Sequence, residues 1–380
     1  MVYFSPDYAL LYWMRWNLLI FTNDTGVKMK KVKSKLDITE ERTVISVVDA
    51  ISLVYDIFWN LGCSEKAARI VSEHLVDSNL CGVESHGIMR TLQYADQFKK
   101  NYMVARGEPI LRATSKGMYE VDGQKGIGIP AMKLAFEHGA NLAKDRGFSV
   151  IAIRNVGHTG RHGAYAERSA SAGFFSFLLG GGNRHSWRQV APFGGARPML
   201  PTNPYCIGIP GGEFGPVIVD FATSKIAGGW IYAAQSADAL LPEGCIVDVN
   251  GKETRDPADY FNGGAILPAG GPKGYALALV AELLAEADLG PVTTEANWLL
   301  MTVSIRHWCE TGRMNQIAEE ILREIRDCPP AEGFKKVEVP GEREREHREK
   351  SNGKIAIPKK TWNQICNLSD QLLVEVRKEK

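Results

Sequence analysis

The sequence predicts a mixed α/β fold. Three observations carry this: helical periodicity towards both ends, short apolar strand-like runs between them, and a glycine- and proline-rich middle from Gly157 to Gly274 that lacks a regular βαβ rhythm. Ile45 to Leu80 reads as helices broken at Asn60-Leu61-Gly62. Cys63-Ser64-Glu65 opens the second of them, in which Ala67, Ile70, Val71 and Leu75 recur with a period of about 3.6 residues. Another helix is expected to begin near Thr91. Met118 to Val121 reads as a strand running into the turn Asp122-Gly123, Ile129 to Lys144 as a helix stopped by Gly147, and Phe148 to Ile153 as a second strand.

In the middle, Phe174 to Leu179, Tyr205 to Ile209 and Val217 to Asp220 read as short strands joined by binding loops. Gly274 to Ala287 reads as a helix, Met301 to Ile305 as a strand and Gln316 to Asp327 as an amphipathic helix. Gly341 to Lys350 is a charge run of the kind that forms a solvated face, and Trp362 to Val376 closes the chain as a helix. No internal repeat or low-complexity segment is evident.

With 380 residues, more than one domain is expected. A formal charge of +1 gives no electrostatic case for nucleic acid or an anionic membrane surface, so small partners are favoured. Seven cysteines without a CxxC pair or zinc-type spacing read as reduced thiols in a cytosolic protein, with no metal site expected. Tyr8 to Phe21 is apolar and aromatic, yet too short for a bilayer span and interrupted by Arg15 and Asn17. It also lacks the marks of a signal peptide. Between an interfacial anchor and an extension outside the domain, the extension is favoured, because Met29 before KKVKSK could equally begin the protein.

The obvious cofactor motif is Gly126-Ile-Gly128-Ile-Pro-Ala131, a GxGxxA between a strand and a helix. A Rossmann unit needs an acidic ribose reader near the end of the next strand, and that strand ends in Arg154-Asn155. The glycines are therefore expected to shape a tight turn. No HExxH, GxSxG or GxxxxGK[ST] signature is present.

Ser85-His86-Gly87 followed by Arg90 combines a proton carrier with a carboxylate clamp, although a loop histidine is more often structural. Gly157-His158-Thr159-Gly160-Arg161-His162-Gly163 is denser, and its glycines let a flat ligand approach. Asp220-Phe221-Ala222-Thr223-Ser224 follows an apolar strand, where it fits either ribose or phosphate binding or a helix N-cap.

Taken together, SHGIMR (Ser85 to Arg90), GHTGRHGAYAE (Gly157 to Glu167), APFGG (Ala191 to Gly195), PTNP (Pro201 to Pro204), VDFATS (Val219 to Ser224), LPAGGPKGYALAL (Leu267 to Leu279) and PPAEGF…VPGERE (Pro329 to Glu344) resemble the type-2 malate/lactate dehydrogenase family. That family also holds sulfolactate and ureidoglycolate dehydrogenases, diketogulonate reductase and piperideine-carboxylate reductase. The likeness covers Leu36 to Leu373, and the GHTGR form is similar to the hydroxycarboxylate dehydrogenase branch.

The resemblance implies a nicotinamide-binding α/β domain that is not of Rossmann type, over residues 116–310. It further implies a helical part built from both chain ends (36–115 and 311–380), an extension over 1–35, and a cytoplasmic homodimer with active sites near the subunit interface. It also implies hydride transfer between NAD, with NADP left open, and a small 2-hydroxy/2-oxo acid pair. His86 would carry the proton against the nicotinamide, Arg90 would hold the substrate carboxylate, and His158 would handle substrate or proton. Gly160, Arg161, His162, Asp220, Phe221, Ala222, Thr223, Ser224, Lys273, Asn297, Gly341, Glu342, Arg343 and Glu344 correspond to cofactor contacts, and Lys225 or Arg343 could accept a 2′-phosphate. Neutral His86 is required for oxidation and protonated His86 for reduction.

Two features depart from the family pattern. Pro272 stands where relatives often carry a polar residue, and Leu289 to Asn297 is short for a region that normally lines the interface. Alternatives within the same fold are a reductase of cyclic imino acids or a ureidoglycolate dehydrogenase. Outside catalysis, the alternative is an inactive cofactor-binding homologue.

Overall fold

A computed structural model of the chain describes residues 41–372 apart from 184, 237 and 238; the apolar segment Tyr8 to Phe21 and the end of the last expected helix lie outside them. Strand β1 (Arg42–Ser46) leads into helices α1 (Val47–Asn60) and α2 (Glu65–Leu80), a one-turn 3-10 helix (Glu84–His86) and α3 (Arg90–Lys99). Then come β2 (Ile110–Ala113), β3 (Tyr119–Asp122), α4 (Gly128–Arg146), β4 (Phe148–Val156), α5 (Gly163–Ser171), β5 (Phe174–Gly181), β6 (Pro204–Ile209) and β7 (Val217–Ala222). A smaller group follows: α6 (Gly228–Ser236), β8 (Ile246–Val247), β9 (Glu253–Thr254), α7 (Pro257–Phe261) and β10 (Ala265–Ile266). The chain continues through α8 (Pro272–Glu282), a π turn (Leu283–Asp288), β11 (Ala296–Ser304), α9 (Thr311–Arg326), α10 (Glu342–Lys350), β12 (Lys354–Pro358) and α11 (Lys359–Gln371).

The main sheet has seven strands in the order β2-β3-β4-β11-β5-β6-β7. Its β3–β4 pair is parallel, with Tyr119 opposite Ile151, while β11 runs antiparallel to both of its neighbours. Helix α4 lies against this sheet through Ile129, Met132, Phe136, Gly139 and Ala143, alternating steps of three and four residues that keep one face inward. The last described strand, β12, pairs antiparallel with the first, β1, in one small sheet whose Ile45, Ile355 and Ile357 are buried.

The local chemistry explains most of these elements. Ser46 and Ser64 cap α1 and α2 by accepting from the N–H groups of Asp49 and Ala67, each at 3.1 Å. Pro272 occupies the first turn of α8, where a backbone N–H would be unpaired anyway, so it fits the helix without loss. The GxGxxA glycines serve close backbone packing. A Cβ on Gly126 would lie 2.2 Å from the Gly107 carbonyl oxygen, and one on Gly128 would lie 2.4 Å from that of Gly157.

Several boundaries differ from expectation. β4 runs on to Val156, and β11 begins at Ala296 rather than Met301. Lying between two strands, β11 has no exposed residue: apolar side chains occupy both faces, Trp298 and Leu300 buried and Leu299, Met301 and Val303 partly buried, although burial itself alternates from Trp298 to Ser304. The helix expected to end at Ala287 loosens into the π turn after Glu282. The charge run is a helix with two sides: Arg343, His347, Glu349 and Lys350 are exposed, whereas Glu342, Arg345 and Arg348 are partly buried.

Candidate active site

His86 is held by short-range geometry. Its N–H donates to the Val83 carbonyl at 3.0 Å, and the following turn is anchored by the Ile88 N–H donating to Asn79 Oδ1 at 2.8 Å. The imidazole Nδ1 lies 3.0 Å from Ser85 Oγ. Arg90 opens α3 and turns back, donating from Nε to the Ser85 carbonyl at 2.6 Å and from Nη1 to Gln93. The loop after β4 brings His158 to this point, with ring centroids of His86 and His158 5.4 Å apart.

Two partners meet at His158 Nδ1: the Tyr94 hydroxyl at 2.6 Å and the Gly160 N–H at 3.2 Å. A backbone N–H can only donate, so Nδ1 accepts and the ring proton sits on Nε2. Both imidazoles keep a part-exposed edge while the rest of each ring is packed in protein. Burial first, and then the Arg90 charge, lowers His86 to about 3, with Asp220 opposing. Burial, Arg90 and His86 hold His158 well below the usual imidazole range. Both rings are therefore neutral near neutral pH.

A second layer fixes the glycine-rich loop. Gly160 has φ of +73°, and a Cβ there would lie 2.2 Å from His74 Nε2. That space lets the Arg161 N–H donate to His74 Nε2 at 2.9 Å. The Arg161 guanidinium is 6% exposed and donates to Asp77 Oδ2 at 2.6 Å. His162 Nε2 lies 2.8 Å from Thr159 Oγ1, and its Nδ1 lies 3.8 Å from Asp220 Oδ1. Asp220 also accepts the Gly163 N–H at 2.7 Å. Burial would raise its carboxyl pKa, but the His162 contact and the Gly163 bond outweigh it and hold the group low.

Strand β7 gathers the remaining motifs. Its Asp220 meets the histidine loop, and the carbonyl oxygen of Thr223, just past its end, accepts the Ala269 N–H at 2.8 Å. A Cβ on Gly274 would lie 2.7 Å from that same oxygen, so the DFATS and PKG segments touch. Near its start, the Ile218 N–H donates to the Pro340 carbonyl at 3.1 Å, placing Gly341 alongside. Phe221 stacks on Tyr205, Ala222 pairs with Pro204, Thr223 Oγ1 donates to the Thr202 carbonyl at 3.0 Å, and Ser224 Oγ to that of Ile226 at 2.8 Å. Lys273 is exposed in the first turn of α8.

Not every expected contact residue faces the cleft with a free group. Asn297 is 1% exposed and donates from Nδ2 to the carbonyls of Ala285 and Gly290, both at 2.9 Å. Glu342 accepts from Arg326 at 2.7 Å, Arg343 is paired with Glu338, and Glu344 is half-buried in the first turn of α10.

Sequence reasoning missed Tyr94, His74, Asp77 and Glu295. Tyr94 was within reach, since it follows Arg90 by four residues on a helix. His74 and Asp77 meet Arg161 only through the tertiary fold. Among the described residues no group of three or more His, Cys, Asp or Glu side chains is arranged to hold a metal.

On a mixed α/β frame, two neutral imidazoles lie beside an arginine, groups of the kind that can exchange a proton next to an anion. Residues 45–366 match the family model described as Malate/L-lactate dehydrogenase, and the chain belongs to that family. It is 32% identical to the L-sulfolactate dehydrogenase of Methanocaldococcus jannaschii over 332 residues, covering 84% of this chain and 94% of the relative. It is 33% identical to the L-lactate dehydrogenase of Cupriavidus necator over 350 residues, 87% and 99% of the two chains. The solved structure of the Methanocaldococcus jannaschii sulfolactate dehydrogenase superposes with a TM-score of 0.78 at 31% identity, covering 88% of this chain and 98% of that one.

Proposed function

We propose that this protein interconverts a small 2-hydroxy acid and its 2-oxo acid by hydride transfer with NAD, NADP being the alternative. The observation that carries the reading is the juxtaposition of His86, His158 and Arg90. Arg90 is pinned through Nε and Nη1, and its Nη2 has no hydrogen-bond partner among the described residues, leaving that edge for a carboxylate. When His86 acts as base at Nε2, its Nδ1 carries the ring proton and donates it to Ser85 Oγ. His158, protonated on Nε2, donates to the oxygen at C2. Oxidation then moves the hydroxyl proton to His86 while the C2 hydrogen leaves with its electron pair and C2=O forms.

The residues present fit an anionic dinucleotide. Gly270 and Gly271, with φ of +60° and +61°, lead into the exposed Lys273 in the first turn of α8, whose charge suits a phosphate. Beside Gly341, Arg345 Nη1 is buried with no hydrogen-bond partner. When bound, the nicotinamide supplies the hydride acceptor. Asp220 to Ser224, Lys273 and Gly341 to Glu344 would hold the cofactor, while Arg161, His162 and Asn297 act from beneath as braces. For a 2′-phosphate, exposed Lys225 is the better candidate, because Arg343 is engaged by Glu338.

The reading includes a cofactor fold other than Rossmann, supported by the antiparallel centre of the sheet. It also includes a homodimer, supported by the exposed Leu277, Leu279, Val280 and Leu283 along α8 and the π turn. A cytoplasmic setting accords with seven free cysteines. No helix among the described residues is long and apolar enough to cross a membrane.

Initial rates with NADH and NADPH across 2-oxo acids, cyclic imino acids and the ureidoglycolate couple test the reading. Turnover confined to 2-oxo acids is expected. Cofactor binding without turnover of any acid would contradict it.

A further inference from the structure

The wall that holds His158 continues to a carboxylate the mechanism above does not use. Arg90, Gln93, Tyr94 and Gln97 share one face of α3. Tyr94 reaches His158, and one turn further Gln97, 9% exposed, donates from Nε2 to Glu295 Oε1 at 3.3 Å. From the other side, Ala296 registers against Val156, and Thr294 Oγ1 donates to the Val156 carbonyl at 2.5 Å. Glu295 is thus fixed between two residues tied to the strand end that leads into His158. Two independent attachments bring it near Arg90 and His158, where it stays part-exposed.

No basic side chain forms an ion pair with Glu295 among the described residues. Burial raises its carboxyl pKa, while the Gln97 bond and the Arg90 charge act the other way. A part-exposed carboxylate without an ion-pair partner accepts hydrogen bonds from a bound ligand and repels a second anion.

We propose that Glu295, braced by Gln97, reads the far end of the substrate and selects 2-hydroxy acids with a distal ammonium or primary amide over those with a distal anion. The proposal rests on the reading that Arg90 holds the 2-carboxylate. The rise from Arg90 to Gln97, seven steps along α3, is about 10 Å, and the long side chains of Arg90 and Glu295 shorten the gap between their charged ends, which suits an acid of about five or six carbons.

The test is oxidation of a matched five-carbon set: 2-hydroxyglutarate, its distal amide 2-hydroxyglutaramate, and 5-amino-2-hydroxypentanoate, with lactate as the acid lacking a distal group. The amide and the amine should each give kcat/KM roughly tenfold or more above 2-hydroxyglutarate, the scale of one like-charge contact. Glu295→Gln should bring these ratios to within about threefold of one another, and Gln97→Met should shift them the same way by less. Ratios measured on one preparation are independent of the fraction of folded protein. Equal rates in the wild type, a preference for 2-hydroxyglutarate, or ratios unmoved by Glu295→Gln while lactate is still oxidised would overturn the subsite and leave the underlying reading standing. Oxidation of none of the four acids would overturn both.

Discussion

His86 is deprotonated across the neutral range, because burial and the Arg90 guanidinium lower it to about 3. A group with a lowered pKa stays unprotonated further into acid, so the oxidation rate should hold its plateau well below pH 6.5, whereas reduction, which needs the protonated ring, should speed up as pH falls. Profiles of kcat in both directions check this; an acid limb for oxidation centred near 6.5 would assign the base elsewhere. Tyr94 acts on the neighbouring ring. Tyr94→Phe keeps the buried shape and removes one of the two donors to His158 Nδ1. A loss of about fivefold in kcat and of no more than about 1 kcal/mol in stability is expected, since one hydrogen bond contributes about 1 kcal/mol. Steady-state rates and a denaturation curve on the same sample separate the two effects.

Strands and helices show which parts of the fold the sequence discloses. Helices α2 and α4 were legible because each buries a single apolar face with a sharp boundary, Ser64 at one start and Gly147 at one end. β11 was half-hidden because apolar residues fill both of its faces, Trp298 and Leu300 on one and Leu299, Met301 and Val303 on the other, so its sequence does not alternate although its burial does. Strands β8 to β10, two residues each, carry too few residues for any period, whereas β12 does alternate, with Ile355 and Ile357 buried, but over only five residues. In the site, His86, Arg90 and His158 were legible because their loops hold unusual residues at close spacing. Arg161 and His162 looked like ligand contacts, and their burial against Asp77 and Thr159 is set by residues far off in sequence or by the fold itself. Gly128→Ala tests the close packing beneath the His158 loop: its Cβ would meet the Gly157 carbonyl, so a destabilisation of about 1–3 kcal/mol by urea titration is expected, with lowered activity. Pro272→Ala should leave both stability and turnover within about 0.5 kcal/mol of the wild type, because the residue sits where a helix needs no N–H.

For the whole molecule, the joint of β1 and β12 ties the first and last described strands together around Ile45, Ile355 and Ile357, and Arg42 of β1 pairs with Glu84 in the one-turn helix that carries His86. Acid stability is set by the same site. His74, His86 and His158 are all held below the ordinary imidazole value of about 6.5, and His86 reaches about 3. Between those limits the unfolded chain binds more protons than the folded one, so stability falls as pH drops below about 6.5. Thermal midpoints should decline from about pH 7.5 to about pH 5.5, one unit above and below that value, and His74→Phe or His86→Phe should flatten the slope. The central claim is that His86 is the proton carrier for oxidation of a 2-hydroxy acid. The most direct measurement is kcat of His86→Ala beside the wild type with the best acid and cofactor of the panel. A fall of about 10²–10⁴ with the fold intact is predicted; turnover near the wild-type value would contradict it.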